Sequence, residues 1–191
     1  MNNERKIKFV TGNRNKFQEA KLILYEYDLE LEMVKVKKLE VQNDNIEIIS
    51  KTSVKEAQTR ISGSIIVEDA GLFIKELNGF PGPYSAYIHQ TLGCKWILKL
   101  LEGIEDRTAE FKSAVAYAKD ATTPTVKIFL GIVRGEISRE MCGDQGFGFD
   151  PIFIPEQLDR TFGEIGIEEK SKYSHRAMAL RQFASWYIAN T

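Results

Sequence analysis

Cysteine and histidine are scarce in this sequence, with two of each among 191 residues. Cys94 and Cys142 lie far apart and outside any CxxC spacing, which argues against a disulfide framework and against a cysteine-based zinc site. We expect both thiols to be free, as buried or incidental side chains. The two histidines add no metal-binding spacing, and no GxSxG motif supports a serine nucleophile. Stability must come from an ordinary hydrophobic core, which a chain of this length is able to build.

Long apolar runs and an excess charge of either sign are also missing. No segment approaches the ~20 apolar residues that cross a bilayer, and the first residues (MNNERKIKFV) carry no secretory signal. We therefore expect a cytoplasmic protein without a membrane partner. The 26 Lys and Arg residues nearly balance the 27 Asp and Glu residues, giving a formal net charge of −1. This balance argues against nucleic acid as a partner.

The first third of the chain alternates strand and helix patterns. A short apolar strand at residues 7–10 runs through a tight turn into a helix. An alternating strand at residues 31–36 precedes a helix at residues 46–61. The segment SIIVED (64–69) then predicts a buried strand that ends in acid. This order is typical of an α/β protein.

The rest of the chain adds longer strands and a final helix. Two β-rich strands at residues 109–119 and 124–135 predict a hairpin, because turn-forming residues separate them. We expect one domain over residues 1–191, of mixed α/β class, with two lobes around a cleft. The last helix is expected to bury the face made by Ala177, Leu180, Ala184 and Ile188.

The segment TGNRNK (11–16) lies where the first strand becomes a helix. Free backbone N–H groups and the helix dipole make such a junction a binding site for anions. Gly12 lets the backbone approach a ligand, Asn13 is a candidate helix cap, and Lys16 adds a cation. The pattern is not GxxxxGK[ST], so it is no Walker loop. The alternative is an ordinary capped helix with a solvated lysine.

Acidic side chains follow two of the predicted strands. Glu68 and Asp69 close the strand SIIVED, and Glu40 follows the alternating strand. Carboxylates near phosphate suit Mg²⁺, which binds one or two of them and keeps other positions for water and phosphate oxygens. The alternative is that these acids only make a turn soluble.

A third cluster lies near the carboxyl end. The segment GFGFDP (146–151) places Phe147 and Phe149 between glycines, where they are able to form a stacking slot for a planar base. Asp150, Lys170 and Arg176 are candidates for the polar edges of that slot. The alternatives are that the two phenylalanines belong to the core and that residues 175 and 176 are an exposed pair at a helix start.

Taken together, these segments resemble the inosine triphosphate pyrophosphatases. These enzymes hydrolyse non-standard purine nucleoside triphosphates to the monophosphate and pyrophosphate. The similarity extends from about Lys8 to Tyr187. The motifs that carry it are TGNRNK, VEDAGL followed by GFPGPYSA, GFGFDPIF, TFGEI and EEKSKYSHRAMAL.

The resemblance implies a long twisted mixed sheet with helices on both sides, two lobes around a central nucleotide cleft, Mg²⁺ as cofactor and a homodimer. It also implies that Glu40 and Asp69 hold the metal, and we expect Glu68 to be a third metal ligand. Asp69 is further implied to accept a proton from the attacking water, and Lys16 to meet the charge of the leaving group. The implied substrate-binding residues are Thr11, Gly12, Asn13, Arg14, Asn15, Lys16, Ala70, Phe147, Gly148, Phe149, Asp150, Lys170, His175 and Arg176.

Three positions depart from the family pattern, and two other functions compete with it. Ala70 stands where many relatives carry Ser, Phe149 stands where Trp or Tyr is common, and neither Lys51 nor Lys55 aligns with the lysine that many relatives have between the two acids. One competing function is a nucleotide-binding module that does not cleave its ligand. The other is an RNA-binding or RNA-modifying domain, which the balanced charge disfavours.

Overall fold

The computed structural model describes residues 5–36, 41–119 and 125–191. It shows a mixed α/β fold with a seven-stranded sheet, and no helix in the described ranges is long and apolar enough to cross a membrane. The chain divides into two compact units. The first unit comprises Met1–Asp69, Ser113–Gly131 and Arg176–Thr191, and the second comprises Ala70–Lys112 and Ile132–His175.

The sheet has the strand order β2-β1-β3-β5-β6-β7, with β4 beside β3. The described strands are β1 (Lys6–Val10), β2 (Glu30–Val34), β3 (Ile65–Ile74), β4 (Pro81–Gly82), β5 (Thr108–Ala118), β6 (Lys127–Ile137) and β7 (Phe153–Pro155). The described helices are α1 (Arg14–Tyr25), α2 (Ile46–Gln58), α3 (Ser85–Thr91), α4 (Gly93–Leu100), α5 (Ile167–Tyr173) and α6 (His175–Asn190).

The first unit has a parallel arrangement of strands. β1 pairs in parallel with β2 over its whole length and with β3 at Lys8 and Phe9. Ile66 of β3 packs in one apolar cluster with residues of α1 and α6, whereas Ile65 and Val67 pack in another with residues of α2. The two faces of β3 are therefore covered by different helices.

The final helix differs from its prediction at one position. Ala177, Leu180 and Ala184 are buried as expected, but Ile188 is 52% exposed. The buried stripe continues through Tyr187, which is ten residues after Ala177 and whose hydroxyl bonds to Ser64 Oγ at 2.9 Å. Tyr187 takes the core position because it follows Leu180 by seven residues and Phe183 by four, which places all three buried side chains on one face of the helix.

The strand predicted to end at Asp69 continues to Ile74, so the prediction that the acids close a strand is wrong. The added segment is apolar, and Leu72 and Ile74 are fully buried in the core of the second unit. Gly71 permits this continuation, since a Cβ there would lie 2.1 Å from the carbonyl oxygen of Gly82 in β4. Only a glycine lets the two backbones approach so closely.

The two long strands are neighbours in the sheet, as the hairpin prediction requires. In the second unit, Ile137 N donates to Arg107 O at 2.9 Å, and Arg134 Nε lies 3.3 Å from Glu110 Oε1. Residue numbers rise along β5 as they fall along β6, so the pair is antiparallel. The turn between them lies partly outside the described residues. That residues 1–191 form a single two-lobed domain stays a prediction.

Candidate functional site

The junction of β1 and α1 is an exposed, capped helix start. Asn13 Oδ1 accepts hydrogen bonds from the amides of Asn15 at 2.9 Å and Lys16 at 3.1 Å, which confirms Asn13 as the cap. Asn13 N in turn donates to Thr11 Oγ1 at 3.1 Å. A Cβ built on Gly12 meets no atom within 4 Å, so the backbone there is open to a ligand. Residues 12–15 are exposed.

Lys16 is not the solvated lysine of the alternative interpretation. Its side chain is only 20% exposed, and its ammonium lies 2.7 Å from Glu68 Oε2. Glu68 projects from β3, and its side chain is 1% exposed. The cation at the start of α1 is thus held by a buried carboxylate of the neighbouring strand.

Glu68 is the centre of a network of buried charges. Its Oε1 accepts a hydrogen bond from Ser113 Oγ at 2.8 Å and lies 3.1 Å from both Nε and Nη2 of Arg176. Arg176 also pairs through Nη1 with Glu19 on α1. We call Lys16, Glu19, Glu68 and Arg176 the charge network. All four residues belong to the first unit.

The charge network keeps Glu68 ionised. Burial opposes the charged form, but the cations of Arg176 and Lys16, with hydrogen bonds from Lys16 and Ser113, outweigh it and hold the pKa of Glu68 well below its ordinary value of 4.5. The acid is therefore not a surface residue that makes a turn soluble. That alternative is wrong for Glu68.

The alternative interpretation of residues 175 and 176 as an exposed pair at the start of the last helix is also wrong. His175 is 3% exposed and Arg176 is 2% exposed. Arg176 is buried because two carboxylates neutralise it. The ring of His175, in the second unit, stacks on Phe111 with centroids 4.6 Å apart and planes 9° from parallel.

Asp69 lies on the strand face opposite to Glu68. Successive side chains of a strand point to opposite faces, so Glu68 shares the face of Ile66, and Asp69 shares that of Val67. Asp69 is half-buried, and its Oδ2 is shielded from solvent. Glu40 lies outside the described residues. In the ranges that the structure describes, no group of three His, Cys, Asp or Glu side chains is placed to hold a metal.

The second unit brings together part of the predicted base site. Asp150 Oδ2 accepts a hydrogen bond from the Phe147 amide at 2.8 Å and lies 2.6 Å from the ammonium of Lys170. That ammonium is also 4.9 Å from the centre of the Phe147 ring and 5.5 Å from that of Phe162. The side chains of Lys170 and Asp150 are each 3% exposed, so they form a buried ion pair.

The two phenylalanines of the predicted slot have different surroundings. Phe149 is 3% exposed and packs in the core, where His89 contacts its ring edge-on at 5.3 Å. Phe147 is half-buried. The core interpretation therefore holds for Phe149. Between the two phenylalanines, the carbonyl oxygen of Gly148 accepts a hydrogen bond from Cys94 Sγ at 3.5 Å.

Both cysteines are free, as expected. Cys94 is buried, and burial, helped by the nearby charge of Asp150, raises the pKa of its thiol to about 11. Cys142 is half-buried.

Two residues were not predicted from the sequence: Glu19, which belongs to the charge network, and Ser113, which donates a hydrogen bond to it. Glu19 follows Lys16 by three residues and precedes Ile23 by four, so its position on the buried face of α1 was a usable signal. Ser113 lies within β5 and has no local pattern that marks it. Its partner Glu68 is 45 residues away in sequence.

The described architecture is that of an open-sheet mixed α/β protein with an exposed helix start at its first βα turn. The sequence pattern that defines the Ham1 family matches residues 7–186, and the chain belongs to this family.

Similar proteins support this assignment. The dITP/XTP pyrophosphatase of Methanopyrus kandleri is 50% identical over 185 residues, which cover 97% of each chain. The protein of the same name from Saccharolobus solfataricus is 48% identical over 186 residues, covering 97% of this chain and 95% of the relative. The solved structure of a HAM1 protein from Coxiella burnetii has a TM-score of 0.84 at 28% identity, and it covers 96% of this chain and 98% of that one.

Proposed function

We propose that this chain is an enzyme that hydrolyses ITP, dITP, XTP and dXTP to the nucleoside monophosphate and pyrophosphate. The observation that carries the proposal is the junction of β1 and α1, where an exposed glycine turn, a helix start and Lys16 meet. The names of the archaeal relatives support the substrate class. In a cell, such an activity would remove deaminated purine nucleotides from the triphosphate pool.

The triphosphate is proposed to bind at this junction. Thr11, Gly12, Asn13, Arg14 and Asn15 offer backbone N–H groups and short polar side chains to phosphate oxygens. The ammonium of Lys16 has three donors, so it can bond to a phosphate while it stays paired with Glu68. Its charge would meet the growing negative charge on the leaving pyrophosphate.

The chemistry of the donors fits a divalent metal, which we propose to be Mg²⁺. Mg²⁺ binds through one or two carboxylates plus substrate phosphates, so a set of three protein ligands is not required. Asp69 supplies a half-buried carboxylate, and Glu40 is proposed as the second ligand. Bound there, the metal would neutralise phosphate charge and favour attack at the α-phosphorus. Asp69 is proposed to accept the proton of the attacking water.

The base is proposed to bind at the turn around Phe147. Asp150 holds the ammonium of Lys170 at a fixed position beside the Phe147 ring, from which it is proposed to donate to a 6-oxo group. A 6-amino purine would place a donor against this donor, and an unmade hydrogen bond costs ~1–3 kcal/mol. Phe149 would support the turn from the core. Backbone groups of Ala70 and Gly148, with the side chains of His175 and Arg176, complete the proposed binding residues.

The remaining expectations concern assembly and location. We propose a homodimer in the cytoplasm that uses no nucleic acid or membrane as a partner. The mass of the purified protein by light scattering tests the dimer directly, since a protomer has a mass of 21.8 kDa.

A substrate panel with separate detection of pyrophosphate and orthophosphate tests the proposed reaction. We expect pyrophosphate from ITP, dITP and XTP with Mg²⁺, weak turnover of GTP, and far slower turnover of ATP and dATP. A nucleoside diphosphate product would refute cleavage at the α-phosphorus. Comparable rates on ATP and ITP would refute the proposed base site. Nucleotide binding without turnover would favour the non-catalytic binding module.

A further inference from the structure

The hydrogen-bond and ion-pair partners of Glu68 differ from those expected of a metal ligand. Its Oε1 accepts hydrogen bonds from Ser113 and Arg176, and its Oε2 is paired with Lys16. Both carboxylate oxygens are therefore engaged by cations or hydroxyl donors. A metal at either oxygen would lie against an ammonium or a guanidinium, which like-charge repulsion disfavours.

The charges around Glu68 explain why Lys16 lies where it does. Arg176 is shared between two carboxylates, Glu19 and Glu68. Those three buried groups alone would carry one uncompensated negative charge, which is costly away from water. Lys16 supplies the missing positive charge. Its side chain, at 20% exposed, is the most accessible of the four.

A lysine at the start of an exposed helix would otherwise be mobile. Its four-carbon stem has many rotamers, and holding it in one position costs conformational entropy. The ion pair with Glu68 fixes the ammonium before any ligand binds. Among the described residues Glu68 is the ion-pair partner of this ammonium, and an ammonium, which has three donors, is able to bond to a ligand as well.

We infer that Glu68 is a positioning residue that holds Lys16 ready for the phosphates, and that it does not bind the metal. The inference rests on the proposed function for the identity of the ligand. Glu68 itself carries negative charge, so it weakens the attraction of the network for an anion. Its benefit lies in the fixed direction of Lys16, which matters most when charge moves onto the leaving group.

Glu68→Gln separates these two effects. The amide cannot satisfy both Lys16 and Arg176, because one of its two positions becomes an N–H donor. We expect kcat to fall by roughly 10- to 100-fold, the size of a lost charge-assisted hydrogen bond. KM should stay unchanged or fall, because a negative charge near the phosphates is removed. The Mg²⁺ concentration for half-maximal activity should not change.

A metal ligand would behave differently. If Glu68 bound the metal, Glu68→Gln would raise the Mg²⁺ concentration needed for half-maximal rate, and excess Mg²⁺ would restore activity. Either result would overturn the inference. A fall in kcat accompanied by an equal rise in KM would overturn it as well.

Metal-free calorimetry with pyrophosphate supplies a readout independent of turnover. Lys16→Met should weaken pyrophosphate binding, whereas Glu68→Gln should leave it equal or tighter. Weaker binding to Glu68→Gln would contradict the inference. If the wild type releases no pyrophosphate from any nucleotide, the proposed function fails, and this binding comparison still decides the role of Glu68.

Two further variants control for loss of folding. Glu110→Gln removes a carboxylate that also lies between a lysine and an arginine, Lys112 and Arg134, but that is 29% exposed and outside the proposed site. Its kinetics should equal those of the wild type. In a Lys16→Met background, Glu68→Gln should change kcat by less than about threefold, since effects that act through one residue do not add. A full additional loss there would refute the coupling.

Discussion

Replacement of Arg176 by methionine is the perturbation with the largest expected effect on stability. The guanidinium is 2% exposed and lies between the carboxylates of Glu19 and Glu68. Methionine retains an apolar stem of similar length but no charge. The variant therefore keeps most of the packing, but it removes the guanidinium from Glu19 and leaves Lys16 as the cation paired with Glu68.

The expected loss follows from the burial of this ion group. Breaking a buried pair by removing one partner costs about 3–5 kcal/mol, because the remaining charge is left uncompensated. For a chain of this length, 1 kcal/mol corresponds to about 2–4 °C in Tm. We therefore expect Arg176→Met to lower Tm by about 6–20 °C. Urea unfolding at pH 7, followed by circular dichroism, measures the free energy of unfolding directly.

The stability lost in Arg176→Met is expected to depend on pH, in a direction set by the pKa of Glu68. The folded-state pKa of Glu68 is depressed, so its stabilising contribution is complete well above the ordinary value of 4.5 and is lost as the pH falls below it. The wild type therefore loses part of that contribution between pH 7 and pH 3. Without Arg176 the pKa of Glu68 is lowered less, so the variant loses less stability than the wild type as the pH falls. The difference in the free energy of unfolding between wild type and variant should therefore narrow between pH 7 and pH 3.

Arg181→Met is the matched control. Arg181 lies on the same helix and pairs with Glu26 at 3.0 Å, but the two side chains are 30% and 43% exposed. An exposed ion pair contributes up to about 1 kcal/mol. Equal losses for Arg176→Met and Arg181→Met would refute the account of the charge network, as would a gap that does not narrow in acid.

Three further predictions concern other parts of the chain. Asp69→Asn should lower turnover by about 10²- to 10⁴-fold while nucleotide affinity stays within a few-fold, measured by pyrophosphate release and calorimetry; near wild-type turnover would exclude Asp69 as the base. Gly143→Ala places a Cβ 1.9 Å from Gly163 O at φ +75° and should lower the free energy of unfolding by about 2–4 kcal/mol. Gly103→Ala, at φ +76°, meets no atom and should lower it by about 1 kcal/mol. Equal losses for the two variants in urea unfolding would contradict the close contact at Gly143. Cys94, with its pKa raised to about 11, should resist iodoacetamide at pH 8 until the protein is unfolded, and rapid labelling of the native protein would refute its burial.

Local patterns predicted much of the fold. The turn after β1, its cap at Asn13 and the pairing of the two long strands all follow from short-range periodicity and turn residues. The continuation of β3 past Asp69 was not predicted by these patterns, because Gly71 resembles a turn glycine in sequence. Its actual role is to admit the backbone of β4, which is a contact that no local pattern shows.

The charge network was only partly predictable. Lys16, Glu68 and Arg176 were each singled out as site residues, but their mutual pairing was not foreseen. Arg176 pairs with carboxylates 108 and 157 residues away in sequence. A polar residue at a helix start is usually exposed, so burial of Arg176 depends on distant partners that only the fold brings together.

The balance of charge in the network has a consequence for the effect of salt. Two carboxylates, one guanidinium and one ammonium sum to zero before any ligand arrives. A triphosphate approaching α1 would therefore gain little long-range attraction from these four side chains, because a group of balanced charges has a weak field at a distance and salt screens what remains beyond about 8–10 Å. Association rates should consequently depend only weakly on ionic strength, unlike those of proteins that attract nucleotides through a surplus of lysine and arginine.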